Sequence, residues 1–163
     1  MYTTQESVIS LLKKGKINSR KDLRSLDIPH RKVGSGAFRD SFVIFPNNKK
    51  ERFVIKFPIT KTTPQMNVCH SQNELNAIKK ISTTTKLAFL RNFLPTVLYS
   101  NYRKGIIAME YYYRCREASQ IAYVLERAYA GLYPARDVDI EYYNVRETKD
   151  GEYRLIDLGC FEY

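Results

Sequence analysis

Apolar residues recur along the chain at two different spacings, and these spacings predict the secondary structure. Spacings of three and four residues, as at Val8, Leu11 and Leu12, are typical of amphipathic helices. Short runs of β-branched and aromatic residues bounded by turn residues are typical of strands. The predicted helices cover residues 4–14, 20–26, 71–81 and 117–132. The predicted strands cover residues 42–45, 53–57, 95–100 and 105–112, with two short ones around Val145 and Leu155.

The order of these elements is strands, one helix, strands, one helix and small strands, which predicts an α+β fold. Strands 42–45 and 53–57 form a predicted hairpin, and Asp150-Gly151 is a good signal for a second one near the end. On the last helix we expect one apolar stripe to pack against the rest of the protein. Its members are Ile121, Val124, Leu125, Ala128 and Leu132. The predicted parts of the chain are 1–29, 30–112 and 113–163, with a hinge near 111–114.

Positive charge is concentrated in the first part of the chain. The net charge is +10, and residues 1–61 hold 14 Lys/Arg against 5 Asp/Glu. The last 28 residues reverse the trend, with 8 acidic and 4 basic side chains. A basic half suits a polyanion such as a nucleotide, a nucleic acid or an acidic protein surface, although a solvated basic face explains it as well.

Three cysteines at wide spacing, Cys69, Cys115 and Cys160, predict free thiols in a reducing compartment. The apolar runs are too short to cross a membrane, and the N-terminus lacks a signal-peptide pattern. We therefore expect a cytoplasmic protein.

Several residues could carry chemistry, and each has a simpler explanation when taken alone. The glycines of Gly34-Ser35-Gly36 would let a backbone close over phosphates, but such glycines are also common in turns. Lys56 would aim a cation at phosphates, but an exposed edge-strand lysine explains it equally well.

The order and spacing of further polar residues change this picture. Glu74 follows Lys56 by 18 residues, on the next predicted helix. Asp139 and Asn144 lie five residues apart, and Asp157 follows 13 residues later across a hairpin. Each residue is common, but the ordered set is not.

In this order the residues resemble the motifs of the protein kinase superfamily, over approximately residues 30–160. The glycine-rich loop is matched by Gly34–Phe38, the lysine strand by Phe53–Lys56, the helix glutamate by Glu74, the hinge by Met109–Tyr111, the catalytic loop by Asp139–Asn144 and the D-F-G motif by Asp157–Gly159. The resemblance implies an antiparallel-sheet N-lobe with one helix over 30–112 and a much reduced C-lobe over 113–163.

The resemblance also implies the cofactors ATP and Mg²⁺ and a role for each residue. Lys56, oriented by Glu74, would hold the α- and β-phosphates, and Asp139 would orient the acceptor hydroxyl. Asn144 and Asp157 would bind magnesium. The remaining nucleotide contacts would come from Gly34, Ser35, Gly36, Ala37, Phe38, Glu110 and Tyr111.

The chain departs from the kinase pattern at several points. Arg39 replaces the third loop glycine, Val138 replaces the arginine before the catalytic aspartate, and Glu141 replaces a lysine that steadies the transferred phosphate. Only four residues follow Gly159. We therefore expect a minimal kinase without activation-loop control, of the kind found among phage proteins and bacterial effectors. Such a protein would act in the host cytoplasm.

Three functions remain open from the sequence. The first is an ATP/Mg-dependent phosphotransferase, expected to act on a protein serine or threonine. The second is a pseudokinase-like protein that docks on a partner and inhibits it. The third is a basic nucleic-acid binder, which is disfavoured because no recognised nucleic-acid motif is present. A dimer or a partner protein would complete the reduced C-lobe.

Overall fold

The structure is a computed structural model, and it describes residues 3–35, 37–47, 51–59, 64–132 and 140–159. These residues cluster into two units. The first unit comprises Met1–Ser71 and Thr96–Tyr111, and the second comprises Gln72–Pro95 and Tyr112–Tyr163. The predicted α+β fold with an antiparallel sheet is confirmed.

The first unit is built on a five-stranded antiparallel sheet with the order β1-β2-β3-β5-β4. The strands are β1 (His30–Ser35), β2 (Arg39–Ile44), β3 (Phe53–Pro58), β4 (Val97–Asn101) and β5 (Ile106–Glu110). The predicted hairpin is formed by β2 and β3, with Phe42 opposite Ile55. The sequence pattern does not predict strand β1, because this segment is largely polar and shows no alternation of apolar residues.

Two N-terminal helices share a core with this sheet. Helix α1 (Gln5–Lys13) begins with a capping box, in which Thr4 and Ser7 each accept a hydrogen bond from the other's backbone N–H. Helix α2 covers Arg20–Ser25. The shared core consists of Val8, Leu12, Ile17, Leu23, Ile28, Phe42, Ile44, Phe53, Ile55, Phe57, Ile106 and Ala108. Because side chains alternate along a strand, the sheet members of this core lie on one face, which we call the core face.

Helix α3 (Pro64–Thr83) begins seven residues earlier than the predicted 71–81. Proline is tolerated at the first helical position, and Pro64 is the first residue of this helix. The buried positions Asn67, Ser71 and Glu74 follow helical spacing but are polar, so hydrophobic periodicity does not detect them. Residues of α3 up to Ser71 belong to the first unit, and the remainder belong to the second.

The second unit contains helix α4 (Ala118–Leu132) and a three-stranded antiparallel sheet of order β6-β7-β8. The strands are β6 (Tyr113–Arg114), β7 (Val145–Glu147) and β8 (Tyr153–Leu155), and two 3-10 helices cover Thr85–Phe93 and Tyr142–Asn144. The β7–β8 hairpin turns at Asp150-Gly151 as predicted, and Gly151 has a φ of +84° that favours glycine.

The predicted apolar stripe on α4 is wrong for most of its members. Val124 is 61% exposed, and Ala128 and Leu132 are also exposed, whereas Leu125 is 4% exposed. The buried face consists of Ala118, Ala122, Leu125 and Tyr129. The prediction follows the large aliphatic residues, but the helix buries two alanines and a tyrosine in their place.

The described helices include none that is both long enough and apolar enough to cross a membrane.

Candidate functional site

Lys56 is buried in the centre of the first unit's sheet. It lies on β3, which has β2 on one side and β5 on the other, and its partners in the register are Ser41 and Ile107. Phe53, Ile55 and Phe57 alternate with it and point to the core face, so Lys56 points to the opposite face. Its exposed fraction is 4%. The explanation as an exposed edge-strand lysine is therefore wrong.

The glycine-containing segment forms the connection between β1 and β2. Gly34 and Ser35 end β1, and Ala37 and Phe38 precede Arg39 at the start of β2, whereas Gly36 lies outside the described residues. A Cβ atom added at Gly34 would lie 3.8 Å from the Cβ of Ser41, which is an ordinary contact. Packing within the fold therefore does not require glycine at this position.

Phe38 gives this connection a fixed contact. Its ring stacks on the ring of His70, which lies on α3, with the ring centroids 4.5 Å apart and an angle of 22° between the planes. Nearby on the same helix, the side-chain amide of Asn67 donates to the Ile59 carbonyl. The start of α3 therefore holds both the loop before β2 and the segment that leaves β3.

Two residues of the predicted hinge, Glu110 and Tyr111, lie at the end of the first unit. Glu110 is the exposed last residue of β5, and its N–H donates to the Thr96 carbonyl at 3.1 Å. Because that bond occupies the N–H of Glu110, this group is not available to a ligand. Tyr111 follows and is the last residue of the first unit.

In the second unit, the buried carboxylate of Glu74 contacts the backbone of Asp157, one of the two predicted metal ligands. Glu74 is 0% exposed, and its Oε1 accepts a hydrogen bond from the Asp157 N–H at 3.2 Å. The Asp157 side chain is exposed rather than directed into the core. Its φ is +65°, in the left-handed region that residues other than glycine seldom adopt. Such conformations cost roughly 1–3 kcal/mol and are concentrated at functional sites.

The β7–β8 hairpin brings the backbone of Asn144, the second predicted metal ligand, close to that of Asp157. Val145 lies opposite Leu155, and the next backbone bond runs from the Ile156 N–H to the Asn144 carbonyl at 2.8 Å. Asn144 is also fixed by its own N–H, which donates to the Glu141 carbonyl at 2.8 Å. The hairpin thus places Asn144 opposite Ile156, and Asp157 is the residue that follows Ile156.

The described contacts do not test every predicted role. Asp139 lies outside the described residues, so its role as the acceptor-orienting group stays a prediction. Lys56 belongs to the first unit and Glu74 to the second, and their predicted pairing also stays a prediction. Within the described residues, no three His, Cys, Asp or Glu side chains cluster as a metal site built from these residue types alone would require. The predicted pair differs from such a site because one of its ligands is the amide of Asn144.

Sequence reasoning missed two polar features of the structure. Arg39 is 4% exposed, although arginine is seldom buried. Its replacement of a glycine is the only signal in the sequence. The hydroxyl of Tyr153 donates to Glu117 at 2.6 Å, and no motif indicates this pair. The predicted free thiols are seen at Cys69 and Cys115, and Cys160 lies outside the described residues.

No protein-family model matches the chain, and no curated protein is significantly similar to it.

Proposed function

We propose that this chain is a minimal ATP/Mg-dependent phosphotransferase with a protein-kinase-like fold, acting on a hydroxyl of a protein. The observation that carries the proposal is the burial of Lys56 on the central strand β3, in the same unit as the glycine-containing loop. A buried lysine costs several kcal/mol in lost hydration, which charged or polar partners offset, and phosphate oxygens are partners of that kind.

The topology of the first unit supports the kinase-like assignment. The glycine-containing loop joins β1 to β2, the lysine lies on β3, helix α3 follows, and β4 and β5 complete the antiparallel sheet. This is the order in which the sequence motifs resemble the kinase N-lobe. The proposal assigns the nucleotide contacts to Gly34, Ser35, Gly36, Ala37, Phe38, Lys56, Tyr111 and Glu110, the last through an atom other than its bonded N–H.

The geometry of the second unit supports the assignment of metal ligands. Asn144 and Asp157 offer amide and carboxylate oxygens, the ligand types that magnesium prefers. The β7–β8 pairing holds their backbones close, and the buried Glu74 fixes the Asp157 amide. The residues therefore fit a magnesium ion. Bound magnesium would neutralise charge on the phosphate oxygens during transfer.

Three roles in phosphate transfer are assigned to residues of this chain. Lys56 would hold the phosphates by charge, the loop amides before Arg39 would cover them, and Asp157 would keep the metal-bound phosphates in place. Asp139 is proposed to orient the acceptor hydroxyl. Catalysis would then come from positioning and from charge stabilisation rather than from a covalent intermediate.

A second candidate function is docking on a partner protein without phosphate transfer. It is favoured by the large apolar and aromatic side chains that the second unit exposes, because exposed apolar patches mark protein–protein interaction sites. These side chains are Tyr113, Tyr123, Val124, Leu132, Tyr142 and Tyr143.

The first prediction concerns Asp157. With γ-labelled ATP, magnesium and a cell lysate, the Asp157→Asn variant should transfer label roughly 100-fold more slowly than wild type, because one metal-ligating oxygen is lost. The fold should survive, since the side chain is exposed and asparagine tolerates positive φ.

Asp27→Asn is the matched control, because Asp27 is also exposed and has a φ of +51°. It should transfer label at the wild-type rate. Equal transfer by wild type and Asp157→Asn would remove Asp157 from the mechanism. Transfer by none of the proteins would favour the docking function.

A further inference from the structure

The first unit exposes a group of cations on three segments of the chain. The segments are the end of α1 with the loop that follows it, helix α2, and the turn between β4 and β5. We call this group the basic surface, and its members are Lys13, Lys14, Lys16, Arg20, Lys21, Arg24, Arg103 and Lys104.

The side chain of Asn18 joins the loop after α1 to the β4–β5 turn. Its Oδ1 accepts a hydrogen bond from the Lys104 ammonium at 2.7 Å, and its Nδ2 donates to the Gly15 carbonyl at 2.7 Å. Gly15 lies between Lys14 and Lys16 in the chain, so the backbone that carries these two lysines is held close to Lys104. Cations that are distant in sequence therefore share one surface.

Residues 13–26 and 101–105, which carry the basic surface, include one acidic side chain, Asp22. Its Oδ2 accepts hydrogen bonds from the Asn18 N–H at 2.8 Å and from the Ser19 hydroxyl at 3.2 Å. This carboxylate therefore fixes the entry to α2, and it is half-buried. The exposed charge of the surface is positive.

Local structure explains some of these cations but not all of them. Lys13 and Arg24 lie in the last turns of their helices, where a cation interacts favourably with the terminal carbonyls. Arg20 lies over the ring of Phe42, 5.5 Å from its centroid. Other members have no such role and form no ion pair in the described part of the chain; these are Lys16, Lys21 and Arg103.

The two units also differ in net charge. Residues 72–95 and 112–163, which form the second unit, contain equal numbers of Lys/Arg and Asp/Glu. The net charge of +10 therefore belongs to the first unit. A positive field of this kind draws anionic partners to the unit that carries it.

We propose that the basic surface docks an acidic segment of the acceptor protein, a stretch rich in aspartate and glutamate. This inference rests on the proposed function, which requires a protein acceptor. Opposite charge on two protein surfaces speeds their encounter and selects the right partner, even where each exposed pair contributes little affinity. An acidic segment matches the clustered ammonium and guanidinium groups of the basic surface in this way.

A nucleic acid fits the same surface less well. Proteins bind single strands on several aromatic side chains that stack with successive bases. Among the described residues of the first unit, Tyr102 is the one exposed large aromatic side chain. Recognition of phosphates and base edges also favours the arginine fork, whereas most members of the basic surface are lysines.

The experiment is a fluorescence-anisotropy titration of the whole chain with labelled probes. The probes are a peptide of glutamate and serine, the same peptide with glutamine in place of glutamate, and an oligothymidylate with the charge of the acidic peptide. The triple variant carries Lys16→Glu, Lys21→Glu and Arg103→Glu. The control carries Lys86→Glu, Arg127→Glu and Lys149→Glu, which make the same charge change at exposed positions of the second unit.

Wild type should bind the glutamate peptide roughly tenfold more tightly than the glutamine peptide, and this preference should shrink between about 0.05 M and about 0.3 M salt, because salt screens exposed charges. The triple variant should lose about tenfold in affinity for the glutamate peptide, and the control should lose much less.

Phosphate transfer to the serines of the two peptides gives a second measurement. The triple variant should show a KM about tenfold higher for the glutamate peptide with kcat unchanged, because docking away from the reacting groups binds the ground state and the transition state alike. The control should keep the wild-type KM.

Equal weakening in the triple variant and the control would reduce the effect to net charge and overturn the inference, and tighter binding of the oligothymidylate would assign the surface to nucleic acid. Transfer to both peptides with equal KM would also overturn it while the proposed function stands. Binding of the glutamate peptide without any transfer would support the docking surface and contradict the proposed function. If the triple variant does not fold, wild type decides, because equal affinity for the two peptides contradicts the inference.

Discussion

At the scale of single residues, the described part of the chain keeps three charged side chains, Arg39, Lys56 and Glu74, almost fully out of water. Lys56 and Glu74 lie in different units and have exposed fractions of 4% and 0%. Desolvation of each costs several kcal/mol, which only partners or ligands offset. The contact between Glu74 and the Asp157 amide is one such offset, and it explains how a residue with positive φ is held in place.

The pair Tyr153–Glu117 gives the second unit a pH dependence that can be measured. The hydrogen bond from the Tyr153 hydroxyl to the Glu117 carboxylate raises the pKa of this phenol from 10.0 to about 12. The folded state therefore binds the phenol proton more tightly than the unfolded state does. The resulting stability is fully present below pH 10 and is lost as the pH rises towards 12.

We predict that Tyr153→Phe lowers the free energy of unfolding by a constant amount up to about pH 10, and that the difference from wild type disappears as the pH approaches 12. Urea denaturation at a series of pH values measures this difference. Tyr123→Phe, at an exposed position of helix α4, is the control and should show no such trend. A difference that persists unchanged beyond pH 12 would contradict the assigned bond.

At the scale of elements, helix α4 shows how a helix can expose some large aliphatic residues, here Val124 and Leu132, while it buries alanines. Leu125 packs in the second unit's core with Ala118, Ala122 and Tyr129, while its neighbour Val124 remains exposed. Alanines at the buried positions let α4 pack closely against the rest of the second unit's core. The side chain of Tyr129 fills the remaining space and is 0% exposed.

We predict that Leu125→Ala lowers the free energy of unfolding by about 2–4 kcal/mol, because it removes buried methyl groups and leaves a cavity. Val124→Ala should change it by less than about 0.5 kcal/mol, since the side chain is exposed and alanine favours the helix. Urea denaturation of both variants measures the difference. A larger cost at Val124 than at Leu125 would show that the opposite face of α4 is the buried one.

The sequence supports some of these elements well because their signals are local. Strands β2 and β3, helix α1 and the turn at Asp150-Gly151 are set by alternation, capping and glycine chemistry, all visible over a few residues. The polar face at the start of α3 and the 3-10 helix Thr85–Phe93 carry no such periodicity.

The candidate site is predictable as residue types but not as geometry. The spacing of Lys56, Asn144 and Asp157 along the chain is enough to mark them as a set. Burial of Lys56 depends on strand order, because only a central strand hides a side chain this way, and strand order is a tertiary property. The positive φ of Asp157 and the burial of Arg39 likewise depend on packing between distant segments.

At the scale of the whole molecule, each unit has its own hydrophobic core and its own share of the proposed chemistry. The N-terminal helices contribute apolar side chains to the core of the first unit, so the basic residues on these helices are part of the same folded unit. Residues 1–61, with 14 Lys/Arg against 5 Asp/Glu, all fall in this unit. A positive field of this size would raise the local concentration of an anionic ligand such as ATP.

The central claim is that the chain binds ATP with magnesium through Lys56, and thermal unfolding with added nucleotide tests it most directly. A ligand that binds only the folded protein at ten times its Kd stabilises it by about 1.4 kcal/mol, or roughly 3–6 °C in melting temperature. We predict this rise for wild type and for the control Lys86→Met, an exposed lysine of the second unit. Lys56→Met should lose most of it. No rise at millimolar ATP, or an equal rise in Lys56→Met, would contradict the account.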